Sequence, residues 1–462
     1  MECFSLSWLA ALARSVVVLA GLAFAGSTQA IDLIGAYRLA LAADATYLAA
    51  RATAEAAREA LPQARAGLLP QISASAARGR NNTDQTSQGA VPGETVTRHF
   101  DYPSTSASLN LRQPLVRLSN VASFFSAEAQ VAVAEATLAQ DAQAMALRVA
   151  GAYFETLVAR EKLQSITIQK EAYAGQLAAA ERSLAAGFAT RTDIDETKTR
   201  LDIAAAQEIE ARHALGVAER VLGGLLNQRI QSEALARIDA ERLPLDMPRP
   251  NDLDTWIARA EAKNPELQAL RSSIEVAERE LDKGRAAHLP TLDLVASRSK
   301  SDSDTNNTIG SKFLTSSIGV QLSIPIFAGG QIDSGVRQAR ANLEKARQQF
   351  EAGRRQVGVA VAREFGAIEH GVAHVRALEQ AHHSAEQAVL SSRKGIQAGT
   401  RSTIDVLNAL QQVSVTRHEL AKARYTYAFN RLKLKSAAGM LGEEDFAEIN
   451  GWLTHSAVVG ER

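Results

Sequence analysis

Residues 314–324 read Leu314-Thr315-Ser316-Ser317-Ile318-Gly319-Val320-Gln321-Leu322-Ser323-Ile324. Leu314, Ser316, Ile318, Val320, Leu322 and Ile324 share one parity, and Thr315, Ser317, Gly319, Gln321 and Ser323 share the other. A period of two belongs to a strand, whose successive side chains point to opposite faces. The segment therefore predicts a strand with an apolar face and a polar one. Upstream, Pro290 stops a helical pattern, and Leu292, Leu294 and Ala296 alternate with Asp293 and Ser297 as far as the polar run Ser299 to Ser311. The two runs make a hairpin. A weaker copy stands earlier. Ile72, Ala74 and Ala76 begin a strand after Pro70, a long polar loop runs from Gly79 to about Arg98, and Ser104 to Leu111 returns. Phe100, Tyr102, Phe313 and Phe327 fall near the expected strand ends.

Around these four strands the chain is helical and repeats itself. Asp32-Leu33 recurs as Asp252-Leu253, and Ala64-Arg65-Ala66-Gly67-Leu68-Leu69-Pro70 recurs as Gly284-Arg285-Ala286-Ala287-His288-Leu289-Pro290, at the same offset. Ala186-Gly187 with Asp193-Ile194 is matched by Ala398-Gly399 with Asp405-Val406. Matches in one order mark a tandem duplication. The expected parts are a first repeat over 31–243, a Pro-rich linker over 244–251, a second repeat over 252–442 and a C-terminal tail over 443–462. Within each repeat a helix comes first, from about Asp32 to Leu68 and again from Leu253 to His288, ended by proline. Two very long helices follow the strands. From Val121 to about Ala185, and from about Asp333 to Gln397, no proline interrupts apolar residues spaced by three and four. Such a run is roughly 90 Å long at 1.5 Å per residue and predicts coiled-coil packing in an elongated molecule.

The termini and the composition narrow the class. Arg14, the apolar run Ser15 to Ala25 and the small residues Thr28 and Ala30 make residues 1–30 a secretory signal peptide, too short for a membrane anchor. Its removal takes away Cys3, the chain's one cysteine, so no disulfide framework is available. Lys+Arg 51 balance Asp+Glu 51, which argues against a nucleic-acid partner. Aromatics at 5% argue against a pocket for a flat cofactor. His370 and His374, four apart, lack a third ligand and the order of a zinc-protease helix, and surface histidines are the plainer reading. No phosphate loop, dinucleotide fingerprint or nucleophile elbow is present, so neither an enzyme nor a cofactor or metal site is expected.

With no apolar helix after residue 30, a membrane crossing requires a closed β-barrel. Four strands cannot close one, since the smallest bacterial barrels have eight. Several chains must contribute, and three would give twelve strands, with the apolar faces toward lipid. A soluble sandwich half-buried on one face is the alternative that the strands alone leave open.

The stretch Ala398-Gly399-Thr400-Arg401-Ser402-Thr403-Ile404-Asp405-Val406-Leu407-Asn408-Ala409, followed by Leu420-Ala421-Lys422-Ala423-Arg424-Tyr425-Thr426-Tyr427, resembles the TolC family of outer-membrane export channels. The order of parts and the duplication extend the likeness over essentially the whole chain after residue 30. The resemblance implies a mainly α fold with a small β part. Three chains form a 12-stranded outer-membrane β-barrel, four strands from each, continuous with a long periplasmic α-helical barrel. It implies a homotrimer in outer-membrane lipid, working with a periplasmic adaptor and an inner-membrane transporter, either an ABC exporter or a proton-driven pump. It also implies passive export in a tripartite system. Type I protein secretion is the favoured reading, with drug or metal efflux as an alternative and a periplasmic coiled-coil adaptor protein as a further one.

Both repeats carry residues suited to a tip where the long helices turn. Gly187 and Gly399 fit left-handed helix ends. Thr190 or Thr192, and Ser402 or Thr403, can cap the returning helices, with Asp193 and Asp405 in their first turns. The resemblance adds a gate to this plain capping role. In similar channels the arginine at the position of Arg401 ties one helix pair to its neighbour through residues matching Thr192 and Asp193. A ring formed by Asp405 from each chain narrows the pore and favours cations. This sequence departs from that pattern twice. Asn408 stands where a second ring aspartate is expected, and Ile396 replaces a bracing tyrosine.

Overall fold

The computed structural model describes residues 31–90 and 92–454. The expected signal peptide with Cys3, and residues 455–462 of the expected tail, lie outside the described residues. The fold consists mainly of helices, with a four-stranded sheet and a two-stranded one. Contacts divide the described residues into two units, residues 49–141 with 261–358, and residues 31–48 with 142–260 and 359–454. The two longest helices, α4 (Leu118–Ala185) and α8 (Gln331–Gln397), contribute residues to both. They begin and end within three residues of the proline-free runs read from the sequence. No helix among the described residues is long and apolar enough to cross a membrane.

The sheet belongs to the first of these units. Strands β1 (Gln71–Gln88), β2 (Thr95–Val116), β4 (Thr291–Asp302) and β5 (Lys312–Ser323) pair antiparallel in the order β1-β2-β4-β5. Register sorts the side chains as the alternation predicts. Ile72 pairs Leu111, Leu111 pairs Ala296 and Ala296 pairs Ile318, which puts an apolar row on one face. One residue along, Ser73, Asn110, Ser297 and Ser317 form a polar row on the other. Ser297 and Ser317 hydroxyls lie 2.8 Å apart, as do those of Ser75 and Ser108. Among the described residues the outer strands of this row stand open, with Ile72 66% and Ile318 77% exposed.

The long polar loop expected from Gly79 to about Arg98 is not a loop. Pairing continues from Gln71↔Arg112 to Gln88↔Thr95, through nearly all of that stretch. Polar cross-strand pairs hold this extension, among them Arg80 with Asp101 at 2.7 Å, His99 with Asp84 at 2.6 Å and Thr86 with Thr97 at 2.9 Å. Cross-strand hydrogen bonds and opposite charges stabilise a ladder without apolar residues, so the hydropathy pattern could not show it. Phe100 and Tyr102 consequently lie inside β2 rather than near a strand end, and Tyr102 is buried. In the second hairpin β4 likewise runs on to Asp302, into the polar run read as loop.

The first helix of each repeat is also broken. In place of one helix from Asp32 to Leu68 there are three, α1 (Leu33–Ala43), α2 (Ala45–Arg58) and α3 (Ala60–Ala66). Its copy splits into α6 (Leu253–Lys263) and α7 (Pro265–Ala286). The physical cause is legible at equivalent positions. Asp44 is extended and its Oδ1 accepts from the Tyr47 amide at 2.8 Å. Asn264 is extended and its Oδ1 accepts from the amides of Glu266 at 2.9 Å and Leu267 at 3.3 Å, with Pro265 at the first helical position. Asx side chains compete for backbone donors, and a residue before proline is pushed out of the helical region.

In the other unit, helices α4, α5 (Arg191–Leu226), α8 and α9 (Thr403–Ala437) supply the long elements. Met145, Val149, Tyr153 and Leu157 are fully buried at a spacing of four on α4. The short β3 (Arg237–Ile238) pairs with β6 (Leu453–Thr454), and helix α10 (Glu443–Asn450) stacks Phe446 on Tyr37 of α1 with ring centres 4.5 Å apart. Buried tyrosines tie the extended connections to the helices. Tyr153 donates to the Ala236 carbonyl at 2.9 Å, and burial pushes its hydroxyl pKa up. The Tyr427 hydroxyl faces the carbonyls of Pro244 at 2.9 Å and Asp246 at 2.8 Å and accepts from the Asp246 amide at 3.1 Å. Tyr427→Phe strips this Pro-rich segment of its anchor while conserving ring volume. The expected loss is about 1–3 kcal/mol, the usual cost of orphaned buried polar groups, read as a lowered unfolding midpoint in urea. An unchanged midpoint would show the anchor to be energetically idle.

Candidate functional site: the helical tip

The turns that join α4 to α5 and α8 to α9 are built alike. Gly187 has φ +79° and Gly399 φ +72°. The Phe188 amide donates to the Ser183 carbonyl at 2.8 Å and the Thr400 amide to the Gly395 carbonyl at 2.9 Å, while the Gly187 and Gly399 amides reach Leu184 and Ile396. A left-handed residue closing this pair of bonds is a Schellman ending, where glycine avoids Cβ strain.

Each returning helix then starts with a reciprocal cap. Of the two threonines that the sequence offered, Thr190 is the cap. Its hydroxyl accepts from the Asp193 amide at 3.3 Å, and Asp193 Oδ2 accepts from the Thr190 amide at 2.9 Å. Ser402, rather than Thr403, caps α9 in the same way, with 3.3 Å from the Asp405 amide and 2.9 Å to Asp405 Oδ2. Thr192 and Thr403 lie in the first turns. The hydrogen bond from the Thr190 hydroxyl, reinforced by its amide and by the Thr403 hydroxyl, lowers the pKa of Asp193. The Ser402 amide and hydroxyl, with Arg401 adding its charge, lower that of Asp405. Both carboxylates therefore stay charged at neutral pH, near positive helix N-termini.

Within the chain Arg401 faces its own helix. Its Nη1 is 3.5 Å from Asp405 Oδ1, and its stem packs on Gly395, where an added Cβ would come 2.5 Å from Arg401 Cγ. Among the described residues its ion-pair partner is Asp405, not Asp193. Asn408 is engaged instead by a residue that sequence reasoning missed. Arg200 Nη2 donates to Asn408 Oδ1 at 3.1 Å and Nη1 to Gln411 Oε1 at 2.7 Å, joining α5 to α9. Nothing in the periodicity signals this, since the partners lie more than 200 residues apart. Ile396 sits half-buried in the last turn of α8, and its aliphatic side chain offers no hydrogen bond. Arg200, Thr192, Thr199, Ile404 and Leu407 line a cavity of about 330 Å³. Beside it, Leu407 packs on Tyr173 and Ala204.

The histidines do not converge. His370 and His374 are exposed. His382 approaches Thr416 Oγ1 at 3.1 Å, and burial lowers its pKa. Among the described residues no group of three or more His, Cys, Asp or Glu is placed to hold a metal ion.

A family model described as outer membrane efflux protein matches the chain twice, over residues 36–228 and 256–440. The chain belongs to the outer membrane efflux protein family, the TolC-type channels that its tip stretch resembles. The proteases secretion protein PrtF of Dickeya chrysanthemi is 30% identical over 436 residues, 94% of this chain and 94% of that protein. The alkaline protease secretion protein AprF of Pseudomonas aeruginosa is 35% identical over 416 residues, 90% and 86% of the two chains. Among solved structures, the outer membrane protein VceC of Vibrio cholerae superposes with a TM-score of 0.73 at 18% identity, covering 88% of this chain and 96% of that one. That likeness is one of fold. The protein is thus an outer-membrane efflux channel and not an enzyme, and its two halves are copies of one unit. Family membership sets aside both the soluble sandwich and the periplasmic adaptor protein.

Proposed function

We propose that this channel is the outer-membrane exit of a type I protein secretion system. Three copies complete the pore, each adding four strands to a 12-stranded barrel. The observation that carries the secretion reading is the pair of full-length relatives, at 30% and 35% identity, whose names are those of protease secretion proteins. The open sheet supports the assembly, because β1 and β5 are edges, and a sheet edge in lipid leaves backbone groups unsatisfied. The apolar row Ile72, Leu111, Ala296 and Ile318 then faces lipid, and the serine-rich row faces water. Residues 1–30 direct export, residues 31–243 and 252–442 form the two repeats, 244–251 links them and 443–462 is the tail. The helices stand in the periplasm, where an adaptor and an inner-membrane ABC exporter engage the tip. There Gly187 and Gly399 set the turns, Asp405 from each copy lines the constriction, and Arg401 reaches Thr192 and Asp193 of the neighbouring helix pair.

The test is complementation. A Gram-negative strain lacking its own exit channel, but carrying a protease with its ABC exporter and adaptor, receives this gene. Protease in the medium is the expected result. Restored tolerance to drugs or metal ions without secreted protease would overturn the secretion reading in favour of small-molecule efflux.

A further inference from the structure

We infer that Arg200 sets the ion preference of the tip, by holding an uncancelled positive charge one helical turn from Asp405. The inference rests on the reading that copies of Asp405 meet in the pore. Arg200 divides its guanidinium between two neutral amide oxygens, Asn408 Oδ1 at 3.1 Å and Gln411 Oε1 at 2.7 Å. An amide oxygen accepts a hydrogen bond without neutralising the donor, and a guanidinium stays protonated at any physiological pH. Among the described residues Arg200 forms no ion pair. Two carboxylates line the same cavity: Asp195 pairs with Arg191 at 3.7 Å, and Glu196, four residues before Arg200 on α5, forms no ion pair with it, while Asp405 is engaged by Ser402 and Arg401.

Position makes this charge matter. Asn408 follows Asp405 by three residues on α9, nearly one turn of helix. A carboxylate at 408 would pair with Arg200 and cancel it, whereas Asn408 leaves the guanidinium charge whole. Each copy then adds the Arg200 guanidinium near the level of Asp405, whose carboxylate already faces Arg401. The rigid fork also fixes the guanidinium, since its two bonds end on residues three apart on one helix. The expected pore is therefore weakly selective, neither strongly cation-preferring nor closed to anions. A folded polypeptide segment of mixed charge would meet no single-signed barrier there.

The test is a reversal potential measured on the full-length channel, purified from outer membranes, in planar bilayers under a KCl gradient. Arg200→Gln is expected to raise the potassium-to-chloride permeability ratio roughly two- to fivefold, as loss of one charge per copy in a hydrated site should. Arg200→Lys keeps the charge and is expected to keep the wild-type ratio. Asn408→Asp cancels it and is expected to move the ratio in the same direction as Arg200→Gln. Should Arg200→Gln leave the ratio unchanged while Asp405→Asn lowers it, the inference fails and the Asp405 constriction stands. If neither substitution shifts it, the constriction reading fails as well. A ratio that rises equally in Arg200→Lys and Arg200→Gln would make Arg200 a brace rather than a charge source, which also overturns the inference.

Discussion

Replacing Ile318 by arginine abolishes assembly of the channel in the outer membrane, while the same replacement at its neighbour Ser317 does not. Ile318 lies in the middle of β5, in the row with Ile72, Leu111 and Ala296, and is 77% exposed among the described residues. If that face meets lipid, an arginine near the bilayer midplane costs about 2–4 kcal/mol, and it does so once in every copy. Ser317 points the other way, and its hydroxyl reaches Ser297 at 2.8 Å. On the water-lined side an arginine stays solvated, so Ser317→Arg is expected to insert and to change only conductance. The measurement is the yield of heat-modifiable oligomer in outer-membrane fractions. Equal losses for the two variants would mean that the faces are not sorted between lipid and water, and the barrel reading would go with them.

This contrast also marks how far the sequence could be read. β5 was visible because hydrophobicity alternates along it, and the long helices because proline is absent and apolar residues recur at three and four. The outer halves of β1 and β2 were not visible. Residues such as Asn81, Asn82, Thr83 and Asp84 carry no apolar period, and their strand character comes from partners across the ladder such as Asp101 and His99. Long-range pairing of that kind overrides local composition. The broken first helices are a different case, because the signal stood in the chain. Asn264-Pro265 announces a helix start in plain terms, and Asp44, at the same offset of the duplication, announces its counterpart less openly. The expectation of one helix from Asp32 to Leu68, and of its copy from Leu253 to His288, gives neither stop its weight. At the tip the glycines, the caps and both aspartates were legible from local rules. The Arg200 fork and the packing of Arg401 on Gly395 were not, since each depends on how side chains meet after the chain has turned back on itself.

Arg401→Ser raises single-channel conductance severalfold and leaves the stability of the purified channel nearly unchanged. The two halves of this expectation have different causes. Within one chain Arg401 and Asp405 form a mostly exposed pair at 3.5 Å, and solvent screening leaves such pairs little weight in stability. The fold of the tip does not depend on it, because Gly399 closes α8 and the Ser402–Asp405 cap opens α9 without the arginine. If Arg401 acts only on its own Asp405, its loss exposes a carboxylate, so cation preference grows while the opening keeps its size. If it also ties its helix pair to the next copy, its loss frees the pairs to move apart, and conductance rises with little change in selectivity. Gly395→Ala separates the alternatives further. The added methyl would come 2.5 Å from Arg401 Cγ, which displaces the guanidinium while keeping its charge in the tip. A tie between copies is then loosened, and conductance increases as it does in Arg401→Ser. A local charge pair would leave the conductance of Gly395→Ala at that of the unaltered channel, and that outcome, together with unchanged conductance in Arg401→Ser, would remove Arg401 from the gate.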